Sequence, residues 1–113
     1  MPYNNDLANR IRHRLADLPN IEEKEMMGGL LIMYNGKMCI GIIKEEMMCR
    51  IDPNLHGQAV EKYGCRTMDF TKKPMKGYIL IEEEGMQSNK DFDYWIEFAL
   101  NFNARAKTSK KKQ

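Results

Sequence analysis

The residues of this chain that could do chemistry are scattered rather than gathered. Arg66, Lys72, Lys73 and Lys76 form the one basic cluster outside the C-terminal tail, set around Asp69 and Pro74. Such a set can hold an anion or an acidic partner surface. Charge runs also serve solubility, so a solvated turn is the competing reading. His13, His56, Cys39, Cys49 and Cys65 fall on five different segments with no local pairing. Closed zinc sites bring paired ligands, so no metal site is expected. The cysteines are odd in number and lack C-x-x-C spacing, the pattern of reduced thiols rather than a disulfide framework. Cys65, beside Arg66, is the best-placed nucleophile, but it follows the negative end of a predicted helix, which disfavours a thiolate. Glu22/Glu23 and Glu45/Glu46 are adjacent in strands or turns and so diverge. The run Met26-Met-Gly-Gly29 lacks the Lys-Ser/Thr ending and the following helix N-terminus of a phosphate loop. No catalytic residue and no cofactor is assigned, and the chain is expected not to be an enzyme.

The composition suits a soluble globular domain, with 113 residues, 42% apolar and 30% charged. No apolar run approaches the ~20 residues that span a bilayer. The N-terminus has neither the basic start nor the apolar centre of a secretory signal. A cytoplasmic protein without membrane contact is the expectation. The net charge of +2 conceals a division: from Arg105 onward come five cations and no acid, which leaves the body at −3. An acidic body argues against a broad phosphate-binding surface, so nucleic acid would bind only weakly, through the tail.

The positioning elements are legible from periodicity and punctuation. Leu7, Ile11, Leu15 and Leu18 make one stripe of a helix predicted from Asn5 to Asp17, with Asn5 as its cap. Arg10, Arg12 and Arg14 read as its solvated face. Strands are predicted at 21–27, 30–34, 37–43 and 47–51, with Asn35-Gly36 as a type I′ turn and a turn at Glu45-Glu46. Asp52-Pro53 opens a second helix with Leu55, Ala59, Val60 and Tyr63 inward and Gly64 as terminator. An extended segment follows at 65–70 and a strand at 77–81. Ser88 caps a third helix running to about Ala106, with Phe92, Trp95, Ile96 and Ala99 inward. The sum is a two-layer α+β domain, an antiparallel sheet of about five strands flanked by three helices.

An unbroken hairpin register sets Met33 against Met38 and Leu31 against Ile40, and the next turn sets Ile42 against Cys49 and Ile40 against Ile51. These residues then share the core face. The other face is also apolar: Leu30, Ile32, Tyr34, Cys39, Ile43 and Met48. Either the chain's own C-terminal segments cover it, or Leu30, Ile32, Tyr34, Ile43 and Met48 form a contact surface for a partner or a second copy.

Taken together, Met26-Met-Gly-Gly-Leu30, Asn35-Gly-Lys-Met38, the Met-Asp-Phe-Thr-Lys-Lys-Pro-Met-Lys-Gly-Tyr run from Met68 to Tyr78, and the Trp95-x-x-x-Ala99-Leu100 helix resemble the N-terminal domain of the TfoX (Sxy) competence-regulator family. The resemblance implies a secretion-chaperone-like α+β domain over 1–106. Two-domain members of the family are positive regulators of competence genes that work with a global transcription activator. The family contributes no catalytic residues. The chain looks like a stand-alone, single-domain form, with a disordered Lys-rich tail at 107–113 in place of the helical second domain. The expected function is a non-enzymatic regulatory or adaptor domain that acts by protein contact, with a regulator or a second copy as partner. The alternatives are a small-molecule or anion-binding protein, or a cryptic enzyme, using Met68 to Tyr78, and weak nucleic-acid binding through the tail.

Overall fold

A computed structural model describes residues 3–26, 28–68 and 76–105. Helix α1 (Asn5–Arg14) is followed by strands β1 (Ile21–Met26), β2 (Gly29–Tyr34), β3 (Lys37–Ile43) and β4 (Glu46–Arg50). A 3₁₀ turn at Pro53–Leu55 leads into the short helix α2 (His56–Ala59). Strands β5 (Cys65–Thr67) and β6 (Tyr78–Ile81) and helix α3 (Asn89–Asn103) complete the fold. The six strands form one antiparallel sheet in the order β1-β2-β3-β4-β6-β5. Cys65–Thr67 is thus a sixth strand, beyond the five or so expected. The helices pack on one side of the sheet, which gives the two-layer α+β arrangement.

Local chemistry accounts for the elements. Asn4, rather than Asn5, caps α1, and its side chain accepts the Leu7 N–H. Ser88 accepts the Asp91 N–H at the start of α3, as its sequence predicts. Asn35 and Gly36 both take positive φ, 56° and 78°, the geometry of a type I′ turn. Edge strand β1 exposes Glu22, Glu23, Lys24 and Glu25, a charged row that blunts pairing with another sheet.

The register departs from the sequence expectation in one consequential way. Met33 faces Met38 as predicted, but the next partner of Ile32 is Ile40, because the register shifts between Ile32 and Met33. Cys39 is the extra residue of a β-bulge, and Cys39 and Ile40 are both buried in the helix-side core. Beyond the bulge, Leu31 faces Gly41 and Leu30 faces Ile42. Leu30, Ile32 and Tyr34 therefore lie against the helices, not on the opposite face. The β3–β4 turn is Lys44-Glu45, with Lys44 at φ 57°, which pairs Ile40 with Cys49 and Ile42 with Met47. That shift of two residues preserves which face each side chain takes.

The main core gathers Leu7, Ile11 and Leu15 of α1, Phe92, Trp95, Ile96 and Ala99 of α3, Ala59 of α2, and the inward residues of β2, β3, β4 and β6. A second cluster on the other face comprises Met48, Met68 and Leu80, with Leu31, Met38, Ile43 and Tyr78 packed against it. The three arginines of α1 are fasteners rather than a free solvated face. Arg14 pairs with Asp93, at 3.0 Å, and with Glu97. Arg10 donates to the Met86 carbonyl at 2.7 Å and lies over the Phe92 ring. Arg12 reaches Glu23 on β1 at 2.7 Å.

Candidate functional site

Of the basic cluster, only Arg66 and Lys76 belong to the described residues; Asp69, Lys72 and Lys73 lie outside them. Arg66 stands on the edge strand β5, where Glu46 approaches it at 2.5 Å and Glu82 at 3.5 Å. Its charge is spent on two carboxylates of this chain. Lys76 is exposed at the turn into β6.

The proposed apolar contact face is divided by the bulge. Leu30 and Ile32 are 1% exposed and belong to the main core, with Tyr34 packed against it. Ile43 and Met48 do lie on the second face, together with Leu31, Met38, Met68, Tyr78 and Leu80. Its central side chains are already enclosed, with Met48 at 2% and Leu80 at 6% exposure.

Burial decides the cysteines. Burial pushes the Cys39 and Cys65 thiols up to about 12, and raises Cys49 well above its usual range. Thiols held protonated are poor nucleophiles and poor metal ligands. Among the described residues no group of three His, Cys, Asp or Glu side chains could hold a metal ion.

One pair has the composition of a nucleophile and its base. The His56 Nε2 lies 2.9 Å from the Thr67 hydroxyl, and its Nδ1 accepts the Gly77 N–H at 2.8 Å. Because Nδ1 is the acceptor, the ring proton sits on Nε2 and the ring donates to Thr67. In that tautomer it cannot take a proton from the hydroxyl. Burial, and secondarily the charge of Lys76, lowers the His56 pKa and favours the neutral ring. The arrangement holds chain segments together.

The most exposed aromatic surface was missed by the periodicity. Helix α2 ends at Ala59, and the Glu61 and Lys62 N–H groups turn back to the Gln58 and Ala59 carbonyls. That tightening carries Tyr63 out of the predicted inward stripe, to 77% exposure. Tyr94 on α3 is 39% exposed, and the preceding neighbour of Tyr63, Lys62, places its Nζ 4.7 Å from the Tyr94 ring centre. These two are the exposed large apolar side chains among the described residues. The support beneath them is stiff. Gly64, at φ 81°, meets Gly85 so closely that a Cβ on Gly64 would lie 2.5 Å from the Gly85 Cα. The Trp95 indole N–H donates to the Gly85 carbonyl at 3.1 Å, and Tyr94 meets Trp95 edge to face with ring centres 4.9 Å apart. The available sequence signal was Gly57 inside so short a helix, which weakens its continuation to Tyr63.

The family description TfoX N-terminal domain matches residues 13–103. The chain belongs to that family. The match runs from within α1 to the last residue of α3, so this TfoX-type domain includes the whole sheet, the His56 linkage and the Tyr63–Tyr94 surface. No curated protein and no solved structure matched the chain. Among the described residues no helix is long and apolar enough to cross a membrane.

Proposed function

We propose that this TfoX-type domain is a non-enzymatic regulatory adaptor of the cytoplasm, working without a cofactor, and that the Lys62-Tyr63/Tyr94 surface is where it meets a protein partner. The observation behind this reading is the exposure of two tyrosines on a rigid mount, one of them at 77%. Tyrosine supplies large amphipathic contact area at low entropic cost and is enriched where interfaces concentrate their energy. On the second face of the sheet the central side chains, Met48 and Leu80, are already buried. The anion-binding alternative is weakened because Glu46 and Glu82 already engage Arg66. The nucleic-acid alternative rests on the lysines of the tail, which lie outside the described residues.

The test is affinity capture of partners by the intact domain, followed by titration of the purified partner. Tyr63→Ala and Tyr94→Ala should each weaken binding by about tenfold or more while thermal unfolding changes little. A partner bound equally well by the double variant would show that the contact lies elsewhere.

A further inference from the structure

We infer that His56 is a proton-sensitive latch that joins α2, β5 and the entry to β6, and that it releases on mild acidification while the sheet and the long helices stay folded. The geometry is that of one ring with both nitrogens engaged by different segments. His56 opens α2; Nε2 meets the Thr67 hydroxyl at the end of β5, and Nδ1 accepts from the Gly77 backbone just before β6. Thr67 and Gly77 are ten residues apart in sequence. The ring thus spans the two ends of the connection between β5 and β6. One further bond closes the same neck, from the Met68 N–H to the Tyr78 carbonyl at 3.1 Å.

Gly77 makes the latch consequential. It is buried, and its carbonyl accepts the Ile51 N–H at 2.8 Å, so both of its backbone groups are committed. A second proton on the imidazole would place an N–H against the Gly77 N–H. The buried donor would lose its acceptor, and two donors would face each other. No rotation of the ring restores both bonds, because the protonated imidazole has no acceptor left.

The charges around the ring favour this response. Lys76, one residue before Gly77, is the charged group that acts on the ring, and it opposes protonation. Asp52, which caps the 3₁₀ turn, is taken by Arg105 at 2.8 Å and by the Asn54 N–H at 2.9 Å. From β5, Arg66 is directed to Glu46 and Glu82. The remainder of α2, Gly57 to Ala59, brings no charge. Among the described residues Lys76 is the charged group acting on the ring, and no carboxylate offsets it. The native ring therefore binds its second proton less readily than an unfolded one. The latch contributes fully above the usual histidine pKa, and its contribution is lost as pH falls through the ring's lower native pKa.

The experiment follows the His56 ring and backbone amide protection together by NMR across about pH 7.5 to about pH 5. The ring should titrate below the usual value of about 6.5. Gly77 N–H protection should fall by about tenfold over that same titration, while Ile96 in α3 keeps its protection. Lys76→Gln should move both transitions together to higher pH. His56→Asn, which can still accept from Gly77 but cannot titrate, should make Gly77 protection independent of pH. The inference is overturned if Gly77 protection stays constant while His56 titrates, or if it falls together with that of Ile96. A pH-dependent loss that persists in His56→Asn would overturn it equally. Should that variant fail to fold, the unmodified chain and Lys76→Gln still decide the question.

Discussion

The two faces of the sheet are built from different kinds of side chain. Against the helices lie Ile32, Ile40, Ile42, Ile79 and Ile81, all 0–1% exposed, meeting Ile11 of α1 and Ile96 of α3. On the other face lie Met38, Met48 and Met68 with Leu31, Leu80, Ile43 and Tyr78. Isoleucine is stiff at χ1 and fits one arrangement well, which suits a face that must fix two helices in place. Methionine is unbranched and fills irregular gaps. The Gly41 position shows the consequence: a Cβ there would lie 3.0 Å from the Met48 Cε and 3.2 Å from Leu31 Cδ2, so flexible side chains have folded over the space that glycine leaves. Rigid packing and adaptable filling are thus sorted to opposite sides of one sheet. Met47, which faces the helices, and Ile43, on the other face, are exceptions.

The sharpest way to break this comparison is to charge adjacent residues of β2. Ile32→Lys would bury an unpaired ammonium in the helix-side core and should destabilise by about 3–5 kcal/mol, enough to unfold a domain of ordinary stability. Leu31→Lys, one residue away on the half-covered face, should cost about 1–2 kcal/mol, because a lysine stem can lie along apolar surface with its charge in water. Urea midpoints of the two variants measure the difference. If their order were reversed, the hairpin would run without its bulge and the two faces of β2 would be exchanged.

That bulge also marks where the sequence stopped being legible. The hairpin, the Asn35-Gly36 turn, the Ser88 cap and the inward stripe of α3 each follow from local signals, and each is present. The faces of β2 do not, because one extra residue at Cys39 reverses every assignment beyond it, and Cys39 is as acceptable in a regular strand as in a bulge. Pattern reasoning grouped Leu31 with Ile40 for that reason. The candidate surface was less legible for a related cause. Periodicity carried Tyr63 inward by extending a helix that ends four residues earlier. His56 is recognisable as a latch only once Thr67 and Gly77 have been brought to it by pairing between distant strands. Contacts between residues far apart in sequence leave no local signal.

Gly36→Val tests the part of the register that lies before the bulge. A β-branched residue at φ 78° is strained whatever the surrounding space, and nothing lies within 4 Å of the position where its Cβ would be. The cost is therefore conformational and should be about 1–2 kcal/mol, measured as a fall in the urea midpoint with an unchanged slope. Gly36→Ala should be milder. A neutral Val would mean that the turn relaxes to another type and that Met33 and Met38 are not held together by it.

The smallest expected effect concerns how the helix-covered face is fastened at its rim. Arg12 on α1 makes two hydrogen bonds to Glu23 of β1, from Nε to Oε2 at 2.7 Å and from Nη2 to Oε1 at 2.8 Å. The guanidinium holds the Glu23 carboxyl below its usual range, against a smaller opposing effect of burial. A depressed carboxyl pKa stabilises the native state at pH values above the unfolded carboxylate pKa, and that contribution is lost as pH falls through the native value. Both side chains are about one third exposed, 39% and 34%, so solvent screens the pair and its worth should stay within about 1 kcal/mol. Arg12→Ala should accordingly lower stability slightly near neutrality and have less effect at strongly acid pH, where Glu23 is protonated in either protein. Added salt should shrink the difference at neutral pH as well. If Arg12→Ala were as damaging in acid as at neutrality, the arginine would be acting through packing of its stem rather than through its charge on Glu23. The edge strand would then be tied to the helices by apolar contact alone.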